Sequence, residues 1–202
     1  MPVIARSEAT IANILAAAAS LFLSRNYADV TMDQIAAAAH VTKGALYHHF
    51  AGKEELYLEM MHTDLGEKKT LFTTAATTPG SCRERLRRLT KAFFDLPADR
   101  RELIKLVRRD SNVFGEPVRT ELVRAYQACL PEPTERVIRD GIGAGELASG
   151  DPRLLSWHFV AMVEIVLARY ADNLFDETEE KLDFVLDLFF SGAVADGRSP
   201  IA

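Results

Sequence analysis

Apolar residues recur along this chain at steps of three and four, the period of an amphipathic helix, and show no sustained alternation of two. Ile11, Leu15, Ala18 and Phe22 form one stripe, which predicts a helix over residues 7–24 with Ser7 as its N-cap. "SRNYADV" breaks the period, and Asn26 suits a left-handed helix end. Thr31 is predicted to cap a second helix in a capping box with Gln34, with Met32, Ile35, Ala36 and Ala39 facing inward. Thr42 caps a third, of about two turns, ending at His49. Beyond the turn in "FAGKEEL", a longer helix runs through Leu56 and Met60 to about residue 73.

The polar run "TTAATTPGS" (73–81) reads as a turn. Leu86, Leu89 and Phe93 mark a helix at about 81–96, ended by Pro97; Leu103, Leu106 and Val107 mark another at about 98–112. "FGEP" opens the next, carried by Val118, Leu122 and Ala125, which Pro131 and Pro133 break or kink before Ile138 and Ile142 resume the period. "GIGAGELASGDP" is a glycine-rich terminator. Two long helices finish the chain at about 152–172 and 176–195, with Asp151 and Asp176 as caps. The expected class is all-α, with about nine helices and no internal repeat. A three-helix unit (1–52) precedes a larger helical domain (53–202), with a soft boundary around 50–75.

Two short helices joined by a tight turn, after a longer one, form the helix-turn-helix pattern. Val41, Leu46 and Phe50 supply the inner side of the last helix. Thr42, Lys43, Gly44 and Ala45 lie near its N-terminus on the outer side, where the helix dipole and free N–H groups favour phosphate.

"TMDQIAAAAHVTKGALYHHFAGKEEL" (31–56) resembles the signature of the tetracycline-repressor (TetR) family of bacterial regulators. That pattern is a threonine, an Ile-Ala pair, a Val-[Ser/Thr] turn, Gly-x-[Leu/Ile]-Tyr-x-His-Phe and a lysine three residues on. "ILAAAASLFLSRNYADVT" is similar to the family's first helix, so the likeness covers roughly residues 10–57. It implies that Thr31, Tyr47, His49 and Lys53 contact DNA phosphates, while Thr42, Lys43, Gly44, Ala45 and His48 face base edges or nearby sugar-phosphate. The residue chemistry agrees. Tyrosine, threonine and lysine suit phosphate oxygens, and Gly44 allows close backbone approach. Ala45 suits a thymine methyl, and Lys43 suits guanine O6/N7. The chain departs from the family in carrying Asn26 and His40 where glycine is usual, and in having Arg6 as its one basic residue before the first helix.

Charge qualifies this picture. The net charge of −5 is unevenly spread: residues 1–82 carry six Lys/Arg against eight Asp/Glu, 83–109 ten against four, and 110–202 eight against seventeen. No segment is a dense basic arm, so DNA contact must come from a few placed groups. "RERLRRLTK" (83–91) is read as a solvated helix side paired with the acidic C-terminal half. Cys82 and Cys129 are too far apart in sequence, and too few, for a zinc or disulfide framework, and are expected to be partly buried thiols. His48 and His49 point about 100° apart on a helix and lack HExxH spacing, so no metal is expected. No nucleophile elbow or paired-carboxylate motif appears; no catalytic residue and no cofactor are assigned, and the chain is not expected to be an enzyme. The apolar runs at 14–23 and 159–168 fall short of a membrane span, and no basic n-region precedes the first, which predicts a cytoplasmic protein without a membrane partner.

The resemblance further implies a homodimer through the two C-terminal helices and release from a pseudo-palindromic, double-stranded operator by a small molecule. "LLSWHFVAMVEIVLARY" (154–170) is apolar on more than one face, and Leu182, Val185, Leu186, Phe189 and Phe190 recur at helical spacing, which agrees with a dimer. Candidates for an apolar effector pocket are Phe93, Phe94, Phe114, Tyr126, Trp157 and Met162, with Arg109, His158 or Glu164 as polar anchor. The alternative reading is an all-α small-molecule carrier or sensor that acts through protein contacts without specific DNA binding.

Overall fold

The structure, a computed structural model, describes residues 3–193, and every regular element among them is helical. Helix α1 spans Val3–Ser24. It starts earlier than expected, because no breaker lies between Val3 and Ser7, which is therefore inside the helix and is not its cap. Its fully buried stripe is Ile14, Ala18 and Phe22, with Ile11 and Leu15 half-buried on the flanks. By length and apolarity alone the whole Ser7–Ser24 stretch could cross a membrane, although the apolar run 14–23 within it could not. Much of that apolarity is alanine, and α1 packs its stripe within the protein.

Asn26 is not left-handed: at φ −66°, ψ 154° it is extended and opens a 3-10 turn at Tyr27–Asp29. Helix α2 (Met32–Ala38) begins with the expected capping box: the Gln34 N–H donates to Thr31 Oγ1 at 3.2 Å, and the Thr31 N–H to Gln34 Oε1 at 2.9 Å. His40 adopts φ 53°, and its N–H and that of Val41 donate to the Ala37 and Ala36 carbonyls, a Schellman-type ending made without glycine. Helix α3 (Lys43–His49) follows at once, capped by Thr42.

Helix α4 (Lys53–Thr77) continues past residue 73. The threonine run stays helical through Thr77, short of Pro79-Gly80, and the hydroxyls of Thr74 and Thr77 donate to the carbonyls four residues back. Then come α5 (Cys82–Phe94), α6 (Ala98–Asp110), α7 (Val118–Cys129) and α8 (Pro131–Gly143). The helix breaks at the prolines as expected: α7 ends at Cys129, and Pro131 occupies the first turn of α8, where a missing N–H is harmless.

Helix α9 (Pro152–Ile165) is capped by the Asp151 carboxylate, which accepts from the Leu154 N–H at 2.6 Å. It ends seven residues short of 172, as the bonds tighten to Leu167 N–H→Glu164 O and Ala168 N–H→Ile165 O. Helix α10 (Thr178–Ala193) starts after Asp176, whose side chain is not the cap; the Glu180 carboxylate accepts from the N–H groups of Asp176 and Glu177. Positions 194–195 of the expected last helix lie outside the described residues.

The helices separate into two compact units, Met1–Gly66 with Pro97–Tyr126, and Glu67–Leu96 with Gln127–Ala202. In the first, α1 packs against α2 and α6, and α2 against α3, around Ile14, Phe22, Ile35, Leu46 and Leu56. In the second, α8 lies against α9 and α5, and α10 against α5 and α9, around Leu86, Phe93, Val137, Phe159 and Leu186. Both cysteines are free and buried, and burial pushes the Cys82 thiol up to about 12.

The close approach of α5 to α8 depends on Gly141, where an added Cβ would lie 2.7 Å from Cys82 Sγ. Gly141→Ala is therefore expected to lower unfolding free energy by about 1–3 kcal/mol through overpacking. Cys82→Ala added to it should recover part of that loss in urea titrations, since it removes the clashing sulfur.

Candidate functional site

The exposed side of α3 is built by burying the other side. Leu46 is fully buried and Phe50 nearly so, with Val41 half-buried. Thr42, Lys43, Gly44, Tyr47 and His48 are consequently exposed, and Ala45 and His49 half-exposed. Thr42 Oγ1 accepts the Ala45 N–H at 3.1 Å, which fixes where the helix starts. Thr31, at the N-terminus of α2, is exposed as well. Apart from its own helix backbone and chain neighbours, the nearest atom to a Cβ built on Gly44 is Thr42 Oγ1 at 4.0 Å, so packing does not demand glycine there.

Lys43 is not unopposed. Its Nζ pairs with Asp33 at 2.7 Å and lies 6.0 Å from the centre of the Tyr47 ring. The hydrogen bond to the Asp33 carboxylate holds the ammonium above its ordinary pKa. Asp33, absent from the sequence-based candidates, thus sits beside the residue best suited to reading guanine. Its position in the first turn of α2 was visible in sequence; its partner, ten positions on, was not.

Lys53 differs from the other candidates. Its Nζ donates to the carbonyls of Tyr27 and Val30, each at 2.8 Å, and lies 4.3 Å from the centre of the Tyr27 ring. Tyr27 joins an aromatic cluster with Phe22 (5.8 Å, stacked), Tyr57 (5.3 Å, edge-on) and Phe114 (4.8 Å). Burial, then the Glu54 carboxylate, pushes the Tyr27 hydroxyl up to about 12. Tyr57 is raised further, by burial and by Asp110, to which its hydroxyl donates at 3.1 Å. None of Tyr27, Tyr57 and Asp110 stood out in sequence, because helical periodicity marks them only as interior.

The effector-pocket candidates fall in separate places. Arg109 and Phe114 belong to the first unit: Phe114 to the aromatic cluster, and Arg109 to bonds with Asp110 and the Phe22 carbonyl. Tyr126, the last residue of that unit, is buried. Phe93 and Phe94 are buried in the second unit, Phe93 against Phe72. His158 and Met162 line a cavity of about 320 Å³ with Leu155, Leu188, Phe189 and Gly192. Trp157 lines a smaller one of about 110 Å³ beside Arg153 and Gln127. No group of three or more metal-ligating side chains occurs among the described residues.

The chain is similar to known proteins in both sequence and fold. Residues 14–60 match the family described as bacterial regulatory proteins, tetR family, and residues 79–173 match the tetracyclin repressor-like C-terminal domain. The chain is 32% identical over 127 residues to the HTH-type transcriptional activator FasR of Mycolicibacterium smegmatis; the match spans 63% of this chain and 58% of that protein, less than two thirds of its length. It is 28% identical over 163 residues to the HTH-type transcriptional regulator YhgD of Bacillus subtilis, covering 81% of both. The crystal structure of AibR in complex with isovaleryl coenzyme A and operator DNA shares the fold, with a TM-score of 0.73 at 24% identity, covering 90% of this chain and 98% of that one.

Removing the α3 cap tests the local construction. Thr42→Ala should cost about 1 kcal/mol of stability in chemical denaturation. It should also raise amide exchange at Ala45, whose N–H loses its acceptor.

Proposed function

The chain belongs to the tetR family of bacterial regulatory proteins, and from that we propose that it is a homodimeric repressor, released from a pseudo-palindromic operator by a small-molecule effector. The observation that carries the DNA-binding half is the exposed, N-capped side of α3 above buried Leu46 and Phe50. In this reading residues 1–52 meet DNA and 53–202 sense the effector and dimerise. Thr42, Lys43, Gly44, Ala45 and His48 approach base edges, and Thr31, Tyr47 and His49 hold phosphates. To reach a guanine, Lys43 exchanges its bond to Asp33 for O6/N7. That exchange supports a site with modest non-specific affinity, since Asp33 repels phosphate.

The homodimer reading is supported by apolar side chains left outside the fold. Leu154 (69% exposed) and Ile165 (68%) on α9, with Phe184 (46%) and Leu188 (53%) on α10, lie opposite buried faces of the same helices. A second copy would cover them and set two α3 helices for successive major grooves. Effector binding in the C-terminal domain would then shift a two-state equilibrium in the spacing of the α3 helices, transmitted along α4, which contributes residues to both compact units. The effector is read as an apolar small molecule. An acyl chain presented as a coenzyme A thioester, whose acyl end is its apolar part, is the first class to test, since AibR is seen with isovaleryl coenzyme A. The protein works in the cytoplasm, without catalytic chemistry of its own.

Fluorescence anisotropy on DNA flanking the gene, over a salt series, tests the reading. Tyr47→Ala should weaken binding about tenfold, by roughly 1.4 kcal/mol, uniformly across sequences. Lys43→Ala should cost about 1–3 kcal/mol and relax preference at one base position. Absence of sequence-specific binding at low salt, with or without effectors, would instead favour the carrier reading. Leu188→Glu should shift the molar mass in size-exclusion light scattering from two chains to one; an unchanged mass would remove α10 from the interface.

A further inference from the structure

The segment joining α1 to α2 is gripped from two sides. Helix α1 ends with carbonyls that have no intrahelical partner, as every α-helix does. Arg109, one residue from the end of α6, donates through its NH2 group to one of them, Phe22 O at 2.8 Å, and to Arg25 O, just past the helix, at 3.1 Å. A cation is electrostatically favoured at that end of a helix dipole. The same guanidinium forks onto Asp110 through Nε and NH2, each at 2.7 Å, and Asp110 is almost wholly buried. On the other side, Lys53, the first residue of α4, takes Tyr27 O and Val30 O at 2.8 Å each, with its Nζ over the Tyr27 ring. Val30 is followed by Thr31, the cap of α2.

An ammonium has three N–H donors. Lys53 spends two on carbonyls of its own chain and lies against an aromatic ring, so a phosphate would have to compete for what remains. We propose that Lys53 is a positioning residue and not a phosphate contact, and that with Arg109 it clamps residues 22–30, fixing where α2 begins and therefore how α3 is presented to DNA. The inference deepens the DNA-binding reading and rests on it for its functional consequence.

Two measurements on the full-length protein decide it. The first is operator affinity across a salt series. The second is amide exchange at Asp29 and Val30 in the free protein, whose N–H groups close the connector by donating to Asn26 O and Tyr27 O. Lys53→Met, which keeps an apolar stem, should lower affinity tenfold or more while the slope of log K against log salt stays that of the parent protein. Exchange at Asp29 and Val30 should rise at least tenfold, and Lys53→Arg, which restores a donor, should recover most of both losses. Arg109→Lys, which keeps a charge beside Asp110 but cannot fork, should likewise raise connector exchange. A salt slope reduced by about 0.9, with unchanged exchange, would make Lys53 a phosphate contact and overturn the proposal. Unchanged affinity and exchange together would overturn it too. If the parent protein binds no operator, the DNA-binding reading itself fails; connector exchange, which needs no DNA, still decides whether the clamp exists.

Discussion

Asp110 is a carboxylate shut away from water, and an isolated charge in such a place would cost several kcal/mol. Its surroundings are arranged to keep it paired. Arg109 forks onto both oxygens, and the Tyr57 hydroxyl donates to one of them. Because the same guanidinium also serves the Phe22 carbonyl at the end of α1, three helices (α1, α4 and α6) meet in one hydrogen-bonded group. The aromatic cluster of Phe22, Tyr27, Tyr57 and Phe114 excludes water around it, which strengthens each polar contact inside. Loss of any member leaves a buried polar group without its partner, so the group is expected to hold or fail as a whole.

Electrostatics are used differently in the two halves of the chain. The exposed side of α3 carries little net positive charge, with Lys43 answered by Asp33. In the proposed DNA-binding reading, recognition there depends on a few side chains on a rigid backbone more than on a general attraction to phosphate. The strongest basic run lies instead on α5 and is occupied internally. Arg83 pairs with Asp187 at 2.5 Å, and Arg87 with Asp183 and with Glu179 at 2.6 Å. Lys91 lies 4.0 Å from Glu179. Spaced four apart on each helix, these residues align α10 along α5. Exposed pairs contribute little individually, so their effect is on register more than on stability.

Much of the chain was legible in its sequence because helical structure is written in local terms. The capping box at Thr31 and the cap at Thr42 follow from residue chemistry within a few positions, and both occur; His40, which stands where the family usually has glycine, is left-handed. The pairing of "RERLRRLTK" with acidic C-terminal residues also occurs, since opposite charges at matching helical spacing leave few other arrangements. Errors arose where a local signal had a competitor. The threonines of 73–77, which read as a turn, stay in α4 with the Thr74 and Thr77 hydroxyls bonded back to their own helix. Helix α9 tightens into turns after Ile165 with no glycine or proline to announce it. Asn26, read as left-handed, is extended, its side chain bonded to Asp29.

The sequence alone determined the class, the helix-turn-helix register and which residues of α3 face outward, because apolar periodicity and capping depend on neighbours a few residues apart. Tertiary structure alone decided what the cations do. Lys43 meets Asp33, Lys53 meets the carbonyls of Tyr27 and Val30, and Arg109, a candidate effector anchor, ties α1 to α6. A lysine or arginine has the same charge in every setting. Its role depends on which acceptors lie within about 3 Å of its nitrogens, and those acceptors come from segments distant in sequence.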